Sequence, residues 1–266
     1  MKKLFLLTAL LSAASILFSQ TLNDITERRV ISEKKIIPWD VPDERDVFWQ
    51  KTVWRVIDVR EKINLPFTYP IAPFYDLLVD AAKAKEITIY SPEKDDFSIP
   101  MNEDELNNSI FKVDTVPVWL NENDMKLEII QTAVFYEDIK RFRIKEMWYF
   151  DSNDSQMKVR ILGIAPLQEV YGEDGYFRYE KALFWVHYPT SREVLAREQV
   201  FVESNEASRM TWEDIFEMRK LSSYITKEGN VRDNRLEELY TGTDLLLESD
   251  KIKQDIFNFE HDLWTY

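Results

Sequence analysis

Chemistry needs side chains that titrate, attack or coordinate, and this sequence holds few of them in a patterned form. Histidine, the side chain best suited to move protons near neutral pH, occurs twice, as His187 and His261. His187 stands in an apolar run from Lys181 to Tyr188, the setting of a core histidine with one hydrogen-bond partner. His261 falls near the end of a helical pattern, at a position expected to be exposed. No histidine pair has the i, i+4 spacing of a zinc-binding helix. Cysteine is absent, which removes disulfides, thiolate zinc sites and thiol catalysis together. No Gly-x-Ser-x-Gly elbow marks a nucleophile. A Ser-His-Asp triad need not be local in sequence, so that chemistry stays open with no serine singled out. The five glycines are too scattered to build a phosphate-cradling loop; Gly172 to Gly175 reads as a turn between strands.

Carboxylates are plentiful: Asp95-Asp96, Glu103-Asp104-Glu105 and Glu237-Glu238 are adjacent sets. Glycoside hydrolysis would need one pair brought to opposite sides of a cleft. Among 48 acidic residues such neighbours arise by chance, and a solvated surface is the expected role. Asp151 to Asp154 begins like a calcium loop but lacks the central glycine and the spaced glutamate. The formal charge of −14 disfavours nucleic acid and anionic lipid surfaces as partners.

Aromatic weight is more informative. Of the eight tryptophans, Trp54, Trp148 and Trp185 sit at periodic positions that suit a core. Trp39, in a stretch interrupted by Pro38 and Pro42, and Trp264 have less core to enter. Trp and Tyr are enriched where protein surfaces meet, so Trp39 and Trp264 are candidate partner contacts. Phe259 and Leu263, at the end of the last apolar stripe, join them.

The elements that must position these residues follow from periodicity. Residues 21–42 read as an extended arm. Asp43 to Ile63 reads as a helix, with Asp43 as N-cap and Val47, Trp54 and Ile57 facing a core. Pro66 and Pro70 bracket a stiff aromatic connector. A short helix is expected over Phe74 to Ala84 and a strand over Glu86 to Tyr90. Phe142, Ile144, Trp148 and Phe150 alternate with Arg143, Lys145 and Tyr149, a half-buried strand. A polar turn at Asp151 to Gln156 leads to Met157, Val159 and Ile161, completing a hairpin. Lys181 to Tyr188 is apolar on both faces and belongs inside a sheet. Thr190-x-x-Glu193 and Thr211-x-x-Asp214 read as helix starts, the second carrying Ile215, Met218, Tyr224 and Ile225 on one stripe. Residues 229–242 form a polar connection. From Thr243 the positions Leu245, Ile252, Ile256, Phe259 and Leu263 make one helical stripe. The expected fold is α+β: a central, mostly antiparallel sheet flanked by helices, with an extended N-terminal arm and a C-terminal helix. The organisation is a signal peptide at 1–20, the arm at 21–42, a single core domain at 43–242 and an amphipathic helix at 243–266.

The signal peptide is read from Lys2 and Lys3, the apolar run Leu4 to Phe18, and the exit at Ser19-Gln20. The run is short for a membrane span, which needs about 20 apolar residues. With no cysteine to lipidate after cleavage, the mature chain is expected to be exported without a tether of its own.

Three stretches carry a family resemblance: Asp46 to Pro70 (DVFWQKTVWRVIDVREKINLPFTYP), Val159 to Pro166 (VRILGIAP) and Ser222 to Val231 (SSYITKEGNV). Glu248 to Lys253 (ESDKIK) and Phe259 to Trp264 (FEHDLW) extend it. Together they resemble the gliding motility protein N family (GldN, called PorN in non-gliding relatives). The resemblance implies a periplasmic component of the type IX secretion system. It would be held at the outer membrane through a lipoprotein partner (the K component), in a ring that also contacts the periplasmic part of a motor-linked protein (the M component). It implies a homo-oligomer within that ring, no cofactor, no metal and no catalytic residues. The alternative, a periplasmic glycan-binding or carboxylate-dependent hydrolytic protein, requires a deep cleft with two facing carboxylates and a stacked tryptophan.

Overall fold

The computed structural model describes residues 34–263, apart from 122–123, 173, 204 and 206. The expected signal peptide and most of the expected arm lie outside the described residues. The fold is α+β. A seven-stranded antiparallel sheet is built from β1 (Val47–Asp58), β2 (Ile89–Tyr90), β5 (Ile139–Asp151), β6 (Gln156–Tyr171), β7 (Phe177–Ala182), β8 (Trp185–His187) and β9 (Tyr224–Glu228). Its order is β2-β8-β6-β5-β1-β9, with β7 also on β6. A separate ribbon pairs β3 (Phe111–Asn121) with β4 (Asp124–Ala133). The helices are α1 (Phe74–Lys83), α2 (Glu103–Ile110), α3 (Tyr188–Arg197), α4 (Trp212–Glu217), α5 (Leu236–Leu239) and α6 (Thr243–Leu263). No helix among the described residues is long and apolar enough to cross a membrane.

The expected helix at Asp43 to Ile63 is a strand, β1, followed by a 3₁₀ turn at Lys62–Thr68. Its residues are β-branched and aromatic, the types that suit a pleated surface. It lies between β5 and β9 and is buried on both faces from Val53 to Ile57. No period of two therefore shows, and Trp54 and Ile57 fall at helical spacing by coincidence.

The β5–β6 hairpin forms where alternation placed it. Phe142 and Ile144 face one layer of helices, where α1, α3 and α4 pack. Phe67 and Phe74 meet Trp212 there at 4.8 and 4.4 Å between ring centroids. Asn64 is wholly buried and fully used: its amide donates to the carbonyls of Asp58 (2.8 Å) and Ser222 (2.9 Å), and its oxygen accepts from the Ser222 amide (2.9 Å). It ties the 3₁₀ turn to the loop before β9.

The Lys181 to Tyr188 run is broken at Leu183-Phe184. β7 and β8 pair with the same edge of β6, offset by one residue between them, so a bulge interrupts one line of strand. The run does lie inside the sheet, with β8 between β2 and β6. α3 starts at Tyr188, ahead of Thr190, because Pro189 suits a first helical turn. The Thr211–Asp214 capping box forms as expected. The stripe beyond it does not continue as helix. Arg219 turns left-handed (φ +53°) and the Lys220 amide donates to the Ile215 carbonyl at 2.9 Å, a Schellman-type stop. Tyr224 and Ile225 consequently belong to β9. α6 packs Ile252 and Ile256 against Val53 and Ile225, and its buried Ser249 accepts the Ile225 amide at 2.8 Å.

Candidate functional site

The sheet face away from α1, α3 and α4 carries charge where a second apolar layer would otherwise sit. Alternation along β5 points Arg141, Arg143 and Lys145 onto it, beside Trp54 and Val56 of β1, Ala165 and Leu167 of β6, and Trp185 of β8. Segments 92–96 and 226–235 close over this floor and leave a cavity of about 290 Å³. The Trp54 indole N–H donates to Asp95 Oδ2 at 2.6 Å, and Lys145 Nζ donates to the Asp95 carbonyl at 2.5 Å. Lys227 Nζ lies 4.3 Å from the Trp54 ring centroid and 2.5 Å from Asp233 Oδ1. Phe97 caps the edge of this region, its ring pressed on Gly163, where any Cβ would sit 2.4 Å from the Phe97 Cζ.

The other buried arginines, Arg55 and Arg192, have close partners, as does the half-buried Arg141. Arg55 donates to Ser223 Oγ and the Ser223 carbonyl at 2.9 and 2.8 Å. Arg141 pairs with Asp58 and Glu180, and Arg192 with Glu213 at 2.7 Å. Arg143 differs: only 7% of it is exposed, yet its guanidinium makes no hydrogen bond or ion pair among the described residues. Burial, joined by repulsion from Arg235, pulls its pKa down to about 10, while Glu237, Glu180 and Asp95 oppose this from a distance.

The residues singled out in the sequence are distributed elsewhere. Trp39 is half-buried and docked on its own chain. It stacks on Tyr188 (6.0 Å between centroids), lies under the guanidinium groups of Arg192 (4.6 Å) and Arg160 (4.9 Å), and donates to Glu217 Oε2 at 3.2 Å. Lys34 holds the same segment to α4 through Asp214 (2.6 Å) and Glu213 (3.2 Å). Phe259 stacks on Trp49 at 4.7 Å and Leu263 is half-buried. Trp264 lies outside the described residues. The outer side of α6 exposes Leu246, Leu247 and Phe257. The β6–β7 hairpin exposes Tyr171, Tyr176, Phe177 and Tyr179, each more than half open to solvent, a patch that sequence reasoning missed.

His187 is only half-buried, at the end of β8. Its Nδ1 is 3.2 Å from Thr190 Oγ1, and burial pushes its pKa down. His261 is exposed on α6. Asp95 and Asp96 reach the cavity, but both are occupied, Asp96 by the Ser98 amide and hydroxyl. Glu103 to Glu105 occupy the first turn of α2. Among the described residues no group of three or more His, Asp or Glu is arranged to hold a metal ion. Sequence reasoning also missed Arg143, Lys227 and Arg235 as neighbours. The signal available was that three cations, Arg141, Arg143 and Lys145, alternate on one strand, which reads equally as a solvent face.

The sequence profile of the gliding motility associated protein GldN matches residues 42–265. No curated protein matches the chain.

Proposed function

Because the chain belongs to the GldN family of gliding-motility-associated proteins, we propose that it is a non-enzymatic structural subunit of the periplasmic ring of the type IX secretion and gliding machinery. It would assemble with an outer-membrane lipoprotein and with the periplasmic part of a motor-linked protein. The observation that carries this reading is the match across 42–265. Export by the N-terminal signal and retention at the outer membrane through the lipoprotein complete it. A ring needs two different faces per copy, a heterologous contact that closes by rotation. Two exposed apolar surfaces suit that need: the outer side of α6 and the aromatic β6–β7 hairpin. Leu263 and Trp264 would be further partner contacts. Phe259 would support the α6 contact from within, since its ring packs on Trp49, and Trp39, packed on α3, would be a separate partner contact.

Native extraction of membranes with a tag on this chain tests the reading. The expected result is a particle many times the 31.8 kDa of one chain, containing the lipoprotein and the motor-linked protein, and weakened by truncation at 243 or by serines at Tyr176, Phe177 and Tyr179. A lone soluble monomer, or a glycan-hydrolysing activity, would overturn it.

A further inference from the structure

An unpaired guanidinium shut inside a protein is costly: a buried charge without a counter-ion loses several kcal/mol of solvation. Arg143 comes close to that position, its guanidinium keeping contact with solvent through the cavity it lines. It is 93% removed from solvent, it has no acceptor among the described residues, and it forms part of the floor of a cavity of about 290 Å³. A second guanidinium, Arg235, lines the same cavity and sits near enough to repel it. Two like charges held around one space leave room for an anion between them, and the planar fork of arginine matches a carboxylate with two parallel hydrogen bonds.

The remaining lining sets the selectivity. Apart from the two arginines it holds four carboxylates, Glu93, Asp95, Asp96 and Asp233, against two ammonium groups, Lys94 and Lys227, and so is acidic on balance. Asp95 accepts from Trp54, Asp96 from Ser98, and Asp233 faces Lys227; Glu93 stands exposed at the mouth. This acidic rim repels a dianion more than a monoanion. The Trp54 and Trp185 rings supply apolar wall. The space, equal to about ten waters at liquid density, suits a carboxylate on a short carbon skeleton.

We propose that this cavity is a carboxylate-binding site in which Arg143 and Arg235 hold one carboxylate, borne by a free organic acid or by a peptide, with Trp54 and Trp185 against its carbon chain. The ring reading neither requires nor supplies this site.

The test uses ¹⁵N-labelled full-length mature chain, titrated with acetate, succinate, a short peptide with a free C-terminus, its amidated twin and inorganic phosphate. The readouts are the Trp54 indole N–H and the Arg143 Nε–H signals. The expected result is saturable shifts of both with at least one carboxylate, and affinity at least tenfold weaker in Arg143→Gln and in Arg235→Gln. Binding of the free but not the amidated peptide assigns a chain terminus, while binding of the organic acids alone assigns a small molecule. Stability is the second readout. Without ligand, Arg143→Met should melt no lower than the unsubstituted chain, because an unpaired charge leaves the interior, and a carboxylate that binds should raise the melting temperature of the unsubstituted chain only. No shift with any carboxylate, phosphate binding alone, or equal affinity in both glutamine variants would overturn the proposal. Should Arg143→Gln fail to fold, Arg235→Gln, on a half-buried loop residue, decides the question by the same loss of affinity.

Discussion

Arg219 joins a strained backbone to a buried ion pair, and its replacement separates the two contributions. The Glu146 carboxylate is 1% exposed and accepts Arg219 Nη2 at 2.9 Å and the Trp148 indole at 3.1 Å. Removing one member of a buried pair costs about 3–5 kcal/mol. The Arg219 side chain is 34% exposed, so water partly replaces it, and about 3 kcal/mol is expected for Arg219→Ala. Alanine keeps the left-handed strain of φ +53°, whereas Arg219→Gly removes it and recovers about 1 kcal/mol. With a urea m-value of about 2–3 kcal/mol/M, the midpoint should fall by about 1–1.5 M for Arg219→Ala, and by about two thirds of that for Arg219→Gly. Circular dichroism during urea titration measures both. Adding Glu146→Gln to Arg219→Ala should recover part of the loss, because the uncompensated charge leaves while the acceptor for Trp148 stays. A glycine variant no more stable than the alanine variant, or an alanine cost below about 1 kcal/mol, would refute the reasoning.

Other expectations follow from the same contacts. Asn64→Ala takes the partner from the Ser222 carbonyl and amide and leaves the Asp58 carbonyl only the longer bond from the Glu61 amide, and should cost about 2–4 kcal/mol in thermal unfolding; a cost within the range of a surface substitution would show that water fills the site. Gly163→Ala sets a Cβ against Phe97 and 3.2 Å from Trp185, so it should lower stability by about 1–3 kcal/mol, with Phe97→Ala in the same chain recovering part. Asp58 is held at a pKa of about 2 against an ordinary 3.8, foremost by the hydrogen bond from Arg60 and also by Arg141. Its stabilisation is therefore complete above its ordinary pKa and lost as pH falls through about 2. Asp58→Asn should remove about 1–2 kcal/mol at neutral pH, discounted for the exposed Arg60, and should flatten the acid limb of a stability–pH curve; an unchanged limb would show that other carboxylates set it.

The sequence by itself determined the elements whose two faces differ in polarity. The β5–β6 hairpin shows its period of two because Phe142 and Ile144 are buried while Arg141 and Lys145 are not apolar. The α6 stripe shows its period because one side of that helix meets Val53 and Ile225. The capping box at Thr211 is local chemistry within four residues, and so could be read directly. The family could be read too, since consecutive residues carry it. Tertiary structure decided the rest. β1 has partners on both edges and both faces, so burial erased the pattern that would have named it a strand. Arg219 stops α4 through a left-handed turn that its own identity does not announce, because the contact that favours it, Glu146, is 73 residues away in sequence. The cavity is the extreme case. Arg143 looks like any solvent-facing residue of an alternating strand, and only the arrival of segments 92–96 and 226–235 from distant parts of the chain takes most of it out of water. Burial, not residue type, turns that arginine from a solubilising charge into one that calls for a counter-ion.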